Sequence, residues 1–557
     1  MKTILNNTWL VLTAKEKKKF GFLILLDIFI SIIDIISLAI LLWIIQFYIQ
    51  PGTSKNIPIL SQWLISRDSV WLIAVFFMLF GLKNMAGYLI AKAHYRFNSG
   101  VAVRISRNNL LHYQHAGFDE FVTVDSSKHI RKICFQPFEF CQYILSGIQQ
   151  IITQSCLISI AVLAILLFNA RLFLLILVIL LPPVVIVFYL VKKRMASARK
   201  SIQINNERSY QYVLDALKGW VESNIYGRHD FFLNRFINSR EKFAISLFDS
   251  IAIQSMPGRI IEIFAILGLF ILIAIAKWSG NVDTVPLLTI GAFMAAAYKI
   301  IPGIVKITNI SGLMRAYEFS TGDLVQSNTA ISTAKGELPI VGIQSVRLKE
   351  ISFSYADQQV LNGFNLNVQQ HDFIGISGAS GKGKTTILNI LLGFLEPAKG
   401  RVFINDVALK QESLRAYWPS ISYVRQQAFF IHDTLLRNIT LEEHPHNQTY
   451  LQNAIRVSGL EGLVAQSPDG LDQMIMENGK NISGGQQQRI AIARALYNNA
   501  DLILLDEPFN ELDEESEISL LEHFRELAQK GKLIILITHN KKSLLYCTKV
   551  ISLDEHQ

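Results

Sequence analysis

Long apolar runs crowd the first 310 or so residues of the chain and then stop. Six of them, at about residues 20–48, 71–93, 143–168, 172–191, 261–278 and 284–305, approach or exceed the roughly 20 residues a helix needs to cross a bilayer core. Core helices of soluble proteins seldom stay apolar on every side over such lengths, so the pattern predicts six transmembrane helices. Two excursions between them, about residues 96–142 and 192–250, are too long for simple loops and alternate polar and apolar positions at helical spacing. They read as helical extensions of the flanking spans. Each is broken once, at His115–Phe121 (HAGFDEF) and at Asn224–Phe232 (NIYGRHDFF), where Gly117 and Gly227 mark the turns.

From Glu318 to about Gly342 the sequence is polar, with Ser, Thr, Gly and Pro, and reads as a linker. From Val346 strands and turns alternate, followed by a strand, loop and helix around residue 375. At 557 residues the chain is long for one domain. The expected division is a membrane domain over 1–317, a linker over 318–345 and a soluble domain over 346–557.

Basic residues set the expected orientation. Lys2, Lys15, Lys17, Lys18 and Lys19 precede the first span, Arg96, Arg104, Arg107, Lys128, Arg131 and Lys132 follow the second, and Lys192, Lys193, Arg194, Arg199 and Lys200 follow the fourth. The opposite loops hold only Lys55 and Arg67, then Arg171, then Lys277. Both termini are therefore expected in the cytoplasm, in a multi-pass protein of the cytoplasmic membrane. These loops account for much of the net charge of +9, which argues against a nucleic-acid partner. The first apolar run is too long for the core of a cleavable signal peptide. Cys134, Cys141, Cys156 and Cys547 have neither metal-ligand spacing nor a disulfide framework, and packing is the role expected of them.

The soluble part carries the chemistry. Gly378 to Thr385, GASGKGKT, fits the phosphate-loop pattern, with Gly378, Gly383, Lys384 and Thr385 in the required places and Ala379, Ser380, Gly381, Lys382 and Thr386 completing the contact set. Glycines let backbone amides converge on phosphates, Lys384 adds a cation, and the Thr385 hydroxyl can ligate Mg²⁺. Strand-like FIGIS precedes the loop and helix-forming TILNILLG follows, so the phosphates of ATP meet a helix N-terminus. Leu502 to Glu507, LILLDE, reads as a buried parallel strand ending in two acids. Asp506 is placed to hold Mg²⁺, and Glu507 to orient or deprotonate the attacking water. Ser483, Gly484, Gly485 and Gln486 then open an amphipathic helix, QQRIAIARAL, which makes a second anion-binding terminus. One domain has no use for two such termini on one γ-phosphate, so the pair implies a composite site between two copies.

Together these residues make the soluble domain resemble the nucleotide-binding domain of ABC transporters. Tyr355 falls where that family stacks an aromatic on adenine, Gln426 at its Mg²⁺-binding and coupling glutamine, Glu477 and Gly479 before its signature, Asp513 at its D-loop aspartate and His539 at its switch histidine. The resemblance implies an exporter-type half-transporter: a multi-domain chain with an all-α polytopic membrane domain of six transmembrane helices with long cytoplasmic extensions, followed by an α/β P-loop NTPase domain of ABC type. It implies ATP hydrolysis at two composite sites of a dimer, most simply a homodimer, with Mg²⁺ bound by Thr385, Gln426 and Asp506. In that family the two cytoplasmic excursions carry coupling helices, which makes HAGFDEF and YGRHDFF candidates for docking on the nucleotide domains.

The chain departs from the family pattern at Lys382, Arg425, Asn510 and Glu511, and Lys382 with Glu511 is a candidate complementary pair across the dimer. Charges inside the apolar runs, Asp27 and Asp34, Lys83, Arg259 and Glu262, and Lys299 beside Pro302, either pair structurally, as Asp34 with Lys83, or line a cavity. An acid in the first span, a base in the second, PGRIIE in the fifth and AYKIIPGIVKI in the sixth are loosely similar to lipid-linked oligosaccharide flippases. The expected function is ATP-driven export or flipping of an amphiphile, among membrane lipids, lipid-linked sugars, peptides or drugs. An importer built on the exporter fold and a membrane-anchored sensing ATPase are the alternatives.

Overall fold

The computed structural model describes residues 2–49, 71–118, 124–168, 201–278, 287–330, 342–356, 358–444 and 447–554, with Val122 and a few isolated positions between 174 and 189. The chain forms two compact units, Met1–Ala116 with Phe121–Ala334 and Gly117–Glu120 with Lys335–Gln557.

The first unit is helical. A short helix α1 (Lys2–Val11) leads into α2 (Ala14–Ile49) and α3 (Trp71–His115). A helical run from Ser126, widened to π-turns at Arg131–Phe135 and Phe140–Leu145 on either side of Pro137, continues as α4 (Ser146–Phe168). Then come α5 (His229–Trp278), α6 (Leu287–Ala316, with Pro302 inside it) and α7 (Phe319–Ala330). Among the described residues four helical segments are long and apolar enough to cross a membrane: Ala14–Ile45, Trp71–His115, Ser126–Leu167 and His229–Gly268. The expected span at 172–191 lies outside the described residues, as do the first residues of the one at 284–305, most of which α6 covers.

These helices leave large apolar side chains at their surface because lipid, not water, is the solvent they face; Phe77, Met78 and Leu167 are among the most exposed. Where helices meet, Phe97, Ile105, Phe140, Ile144, Met314 and Leu324 form a buried core. The stretch expected as a linker begins with α7. Phe319 and Leu324 draw it into that core, Gln136 Nε2 donates to the Ser320 carbonyl at 3.2 Å, and the Arg131 guanidinium lies 4.6 Å from the centre of the Phe319 ring. Tertiary packing here overrides a weak local preference. Gly227 marks a turn as expected, with φ of 60°, between the helix Trp220–Ile225 and α5.

The second unit has an antiparallel and a parallel sheet. Strands β1 (Ser345–Tyr355), β2 (Gln358–Gln369), β4 (Lys399–Ile404) and β5 (Val407–Leu409) form the first, in the order β2-β1-β4-β5. The second contains β3 (Phe373–Ser377), β6 (Ile421–Val424), β7 (Leu502–Asp506), β8 (Leu533–Ile537) and β9 (Lys549–Ser552), in the order β9-β3-β8-β7-β6. All its pairs are parallel, and Ile376 is level with Ile537, which is level with Asp506. Strands β7 and β8 are buried throughout, as uninterrupted apolar runs of a two-sided sheet should be. Each such side chain stabilises the fold by roughly 1.5–3 kcal/mol. The helices α8 (Lys384–Leu391), α9 (Gly484–Tyr497) and α10 (Glu514–Gln529) complete what the site requires. Cys547 packs inside this unit, and burial pushes its thiol up to about 12.

Candidate functional site

Parallel register decides where the chemistry gathers. The carboxyl ends of β3, β6, β7 and β8 lie along one edge of the sheet, and from them run Gly378–Thr385, Gln426, Asp506–Glu507 and His539. Open α/β sheets bind ligands at such an edge.

The phosphate loop closes on α8 through Gly383, which has φ of 90° and is that helix's N-cap. A Cβ there would meet the side chains of Val360, Cγ1 at 2.7 Å, and Leu361, Cδ2 at 3.2 Å, and the left-handed backbone would strain any residue but glycine. Lys384 is buried, donating to the carbonyls of Gly378 at 2.8 Å and Ala379 at 3.3 Å. Its ammonium is thereby fixed against the loop's backbone.

Asp506 ends β7, nearly inaccessible, with its Oδ2 accepting from Thr385 Oγ1 at 3.2 Å and from Tyr423 OH at 3.4 Å. Burial raises its pKa, an effect the Thr385 hydrogen bond opposes and the adjacent Glu507 charge adds to. A divalent cation would favour the ionised form, and the donors on offer, a carboxylate and a hydroxyl, are the hard oxygens Mg²⁺ takes. Among the described residues no group of three or more His, Cys, Asp or Glu could hold a metal.

Glu507 adopts φ of 49°, an uncommon conformation for a side-chain-bearing residue, fixed by its amide donating to the Ile537 carbonyl at 3.0 Å. Two side-chain amides and a histidine surround its carboxylate. Gln426 Nε2 and Asn510 Nδ2 reach Oε2 at 2.9 and 3.0 Å, and His539 Nε2 lies 2.8 Å from Oε1. The same His539 nitrogen lies 2.9 Å from Lys384 Nζ. One nitrogen either donates to the acid or accepts from the ammonium, so the histidine's tautomer ties the two groups together. A carboxylate positioned in this way can orient a water beside the phosphate loop.

The signature helix α9 starts with a reciprocal cap. Gln486 N donates to Ser483 Oγ at 3.3 Å, and Ser483 N donates to Gln486 Oε1 at 3.0 Å. Both glycines there have a reason within the same chain. A Cβ on Gly484 would meet Glu511 Oε2 at 3.0 Å, and one on Gly485 would meet the Glu511 carbonyl oxygen at 2.9 Å. Asp513 caps α10 through the Ser516 amide at 2.9 Å, which holds its carboxyl below the usual carboxylate range, and it pairs with Arg489 of α9 at 3.3 Å. Gly479 is joined to α9 by Gln487 Nε2 donating to its carbonyl at 3.0 Å. Tyr355 closes β1 half exposed, edge-on to Phe353 at 4.9 Å. Sequence reasoning missed Tyr423, Arg489 and the place of Asn510 beside Glu507. The polar letter in the ISYV strand is the one signal for the first.

In the first unit Asp34 and Lys83 form the paired charges expected between the first two spans. Between α2 and α3 lies a cavity of about 920 Å³ lined by Ile33, Ile40, Trp43, Val75, Phe76 and Lys83 among others. Asp27 accepts from Gln149 Nε2 at 2.5 Å and lies 2.9 Å from His94 Nε2, a partner the apolar pattern hid. Arg259 and Glu262 are exposed, and the side chain of Lys299 lies outside the described residues. In the second unit Phe118, from the first expected coupling tip, stacks on Phe394 at 4.8 Å with 9° between the rings.

The second unit carries an ATP-binding domain of the ABC transporter class, with residues 361–510 matching the ABC transporter family model. The chain is a multi-pass membrane protein with the fold of an ABC exporter, and the relatives sharpen the comparison. A solved bacterial Atm1-family ABC exporter with ATP bound superposes with a TM-score of 0.75, over 97% of this chain and 94% of that one, at 17% identity. Over 368 residues, 65% of this chain and 62% of the relative, the sequence is 27% identical to an ATP-dependent lipid A-core flippase of Alkalilimnicola ehrlichii. It is 32% identical over 302 residues, 53% of this chain and 48% of the relative, to the flippase of the same name from Neisseria meningitidis. A probable ABC transporter ATP-binding/permease protein of Haemophilus influenzae is 26% identical over 355 residues, 62% of each chain. The matches to these relatives thus span between 48% and 62% of their own lengths.

Proposed function

We propose that the protein is an ATP-driven exporter or flippase that acts as a homodimer, moving an amphiphile out of the cytoplasm or the inner leaflet. One observation carries the reading: Glu507 is held among Gln426, Asn510 and His539 beside Lys384 and Asp506, in a chain that also has helices long and apolar enough to cross a membrane. Lys384 and the loop amides hold the ATP phosphates, with Tyr355 against the base. Thr385, Asp506 and Gln426 would hold Mg²⁺, which would neutralise phosphate charge. Glu507 orients the water and takes its proton, and His539 reports the γ-phosphate to the acid. Ser483, Gly484 and Gly485 of one subunit face the phosphate loop of the other, and Asp513 lies beside that junction. Trp220, Ile225 and Tyr226, at the second cytoplasmic tip, expose an apolar patch that a second subunit would cover.

The lysine-rich loops support a reading with both termini in the cytoplasm and the spans in the cytoplasmic membrane, and the proposed domain limits lie near 317 and 346. The apolar cavity holding a single paired cation fits an amphiphile, and the likeness to lipid A-core flippases makes a lipid or lipid-linked sugar the leading cargo. The test is full-length protein in liposomes, with fluorescent lipids, lipid-linked sugars and peptides as cargo and Mg²⁺-ATP outside. Movement that requires ATP and is lost in Glu507→Gln, with kcat at least about 100-fold lower, is the expected result. Hydrolysis with no cargo moved would point to the sensing reading, and movement in the reverse direction to an importer.

A further inference from the structure

The first helix has two faces, and among the described residues one is buried and the other exposed. Ile4, Thr8 and Val11, at helical spacing, are buried at 2% exposure or less, whereas Leu5, Trp9 and Leu10 are exposed by 45%, 53% and 58%. Two residues, Leu12 and Thr13, separate α1 from the first membrane-spanning helix. That corner is locked. Thr13 N donates to Glu16 Oε2 at 2.9 Å and Glu16 N to Thr13 Oγ1 at 3.3 Å. Arg104 of α3 then grips both sides, with Nε on Glu16 Oε1 at 2.7 Å, Nη2 on Oε2 at 3.0 Å and the same nitrogen on the Val11 carbonyl at 3.1 Å. Since α2 enters the bilayer directly beyond this corner, α1 cannot leave the membrane boundary without breaking it.

The charge at the corner has one sign. Lys15, Lys18 and Lys19 are exposed, Lys17 lies 5.4 Å from the centre of the Trp9 ring, and the nearby acid, Glu16, is engaged by Arg104. Exposed Trp and Leu beside a lysine cluster suit the layer between acyl chains and headgroups. We propose that α1 is an anchor for anionic phospholipid, with Trp9, Leu5 and Leu10 in the interfacial layer and Lys15 and Lys18 on lipid phosphates. The anchor is tied to the helix that leads out of the membrane unit. Asn7 Nδ2 donates to Thr321 Oγ1 of α7 at 3.4 Å, and Ile4 shares a core with Leu324. Lipid bound at α1 therefore pins α7 to the bilayer plane. This reading stands whatever the transporter's cargo.

The test uses the full chain in nanodiscs of mixed phosphatidylcholine and phosphatidylglycerol, with bromine on the chains of one lipid or the other. Trp9 quenching is the difference between wild type and Trp9→Phe. Brominated phosphatidylglycerol should quench it at least about twofold more than brominated phosphatidylcholine at equal content. Lys15→Gln with Lys18→Gln should erase that preference while Trp9 remains quenched. Absence of quenching by either lipid, equal quenching by both in the wild type, or a preference that survives the double substitution would each overturn the proposal.

Discussion

Asn510 donates its side-chain amide to Glu507 Oε2 at 3.0 Å, within the D-loop that immediately follows the acid. The donor shares that oxygen with Gln426, so neither fixes the carboxylate alone. Hydrogen bonds to charged groups contribute about 1.5–3 kcal/mol, and tenfold in rate is about 1.4 kcal/mol. Asn510→Ala is therefore expected to lower kcat for ATP by about tenfold with KM little changed, and Asn510→Ser to restore part of it. Steady-state hydrolysis by the full chain checks this; a KM effect with unchanged kcat would place Asn510 on nucleotide binding instead.

Asp506 gives a pH dependence of stability. Its pKa is raised in the folded chain, chiefly by burial, so the folded state holds the proton more tightly than the unfolded state. The resulting cost is absent below the ordinary carboxylate range, grows as pH rises through the folded pKa, and is fully present above it. Asp506→Asn should raise the unfolding temperature of the nucleotide-free chain at neutral pH, with a smaller gain in mildly acidic buffer, while abolishing Mg²⁺-dependent hydrolysis. Thermal unfolding in detergent with a chelator decides it. A gain independent of pH would assign the effect to packing.

Adjacent glycines of the signature should respond differently to alanine. At Gly484 the new methyl meets the end of the Glu511 side chain, which can swing away, whereas at Gly485 it meets the Glu511 carbonyl, which cannot. Gly485→Ala is expected to cost about 1–3 kcal/mol of stability from overpacking. Gly484→Ala should be near neutral or stabilise by up to about 1 kcal/mol, since alanine is the better helix former. Equal unfolding temperatures for the two variants would refute the distinction.

Within the membrane unit, Lys83 and Asp34 should depend on each other, with side chains 7% and 23% exposed. Lys83→Met or Asp34→Asn alone leaves one charge unmatched, at about 3–5 kcal/mol, and the double replacement should recover most of that. Detergent-solubilised thermal unfolding of the three variants forms the cycle. Additive losses would show that the two charges serve other partners.

What the sequence disclosed depended on how local the cause was. A phosphate loop is legible because the glycines, Lys384 and Thr385 of GASGKGKT answer to one short segment of chain, and LILLD because a strand buried on both faces excludes polar letters until its end. Tyr423 and Arg489 were invisible since each acquires its role from a residue far along the chain: Tyr423 from Asp506, Arg489 from Asp513 and Ser516. The helix α7 was hidden for the same reason. Its polar letters describe a linker, and only Phe319 and Leu324 meeting the membrane core make it a helix. His94 was overlooked because a histidine near a span's end attracts no notice until Asp27 stands beside it.

The parallel register of the second unit divides it into a reactive rim and a silent one. With phosphate loop, acids and histidine at the carboxyl ends of the strands, the amino ends emerge at the opposite edge, where the Lys530–Lys532 turn, with Gly531 at φ of 98°, precedes β8. A dye or affinity handle built into that turn would travel with the ATPase through its cycle while staying a full strand length away from the chemistry it reports.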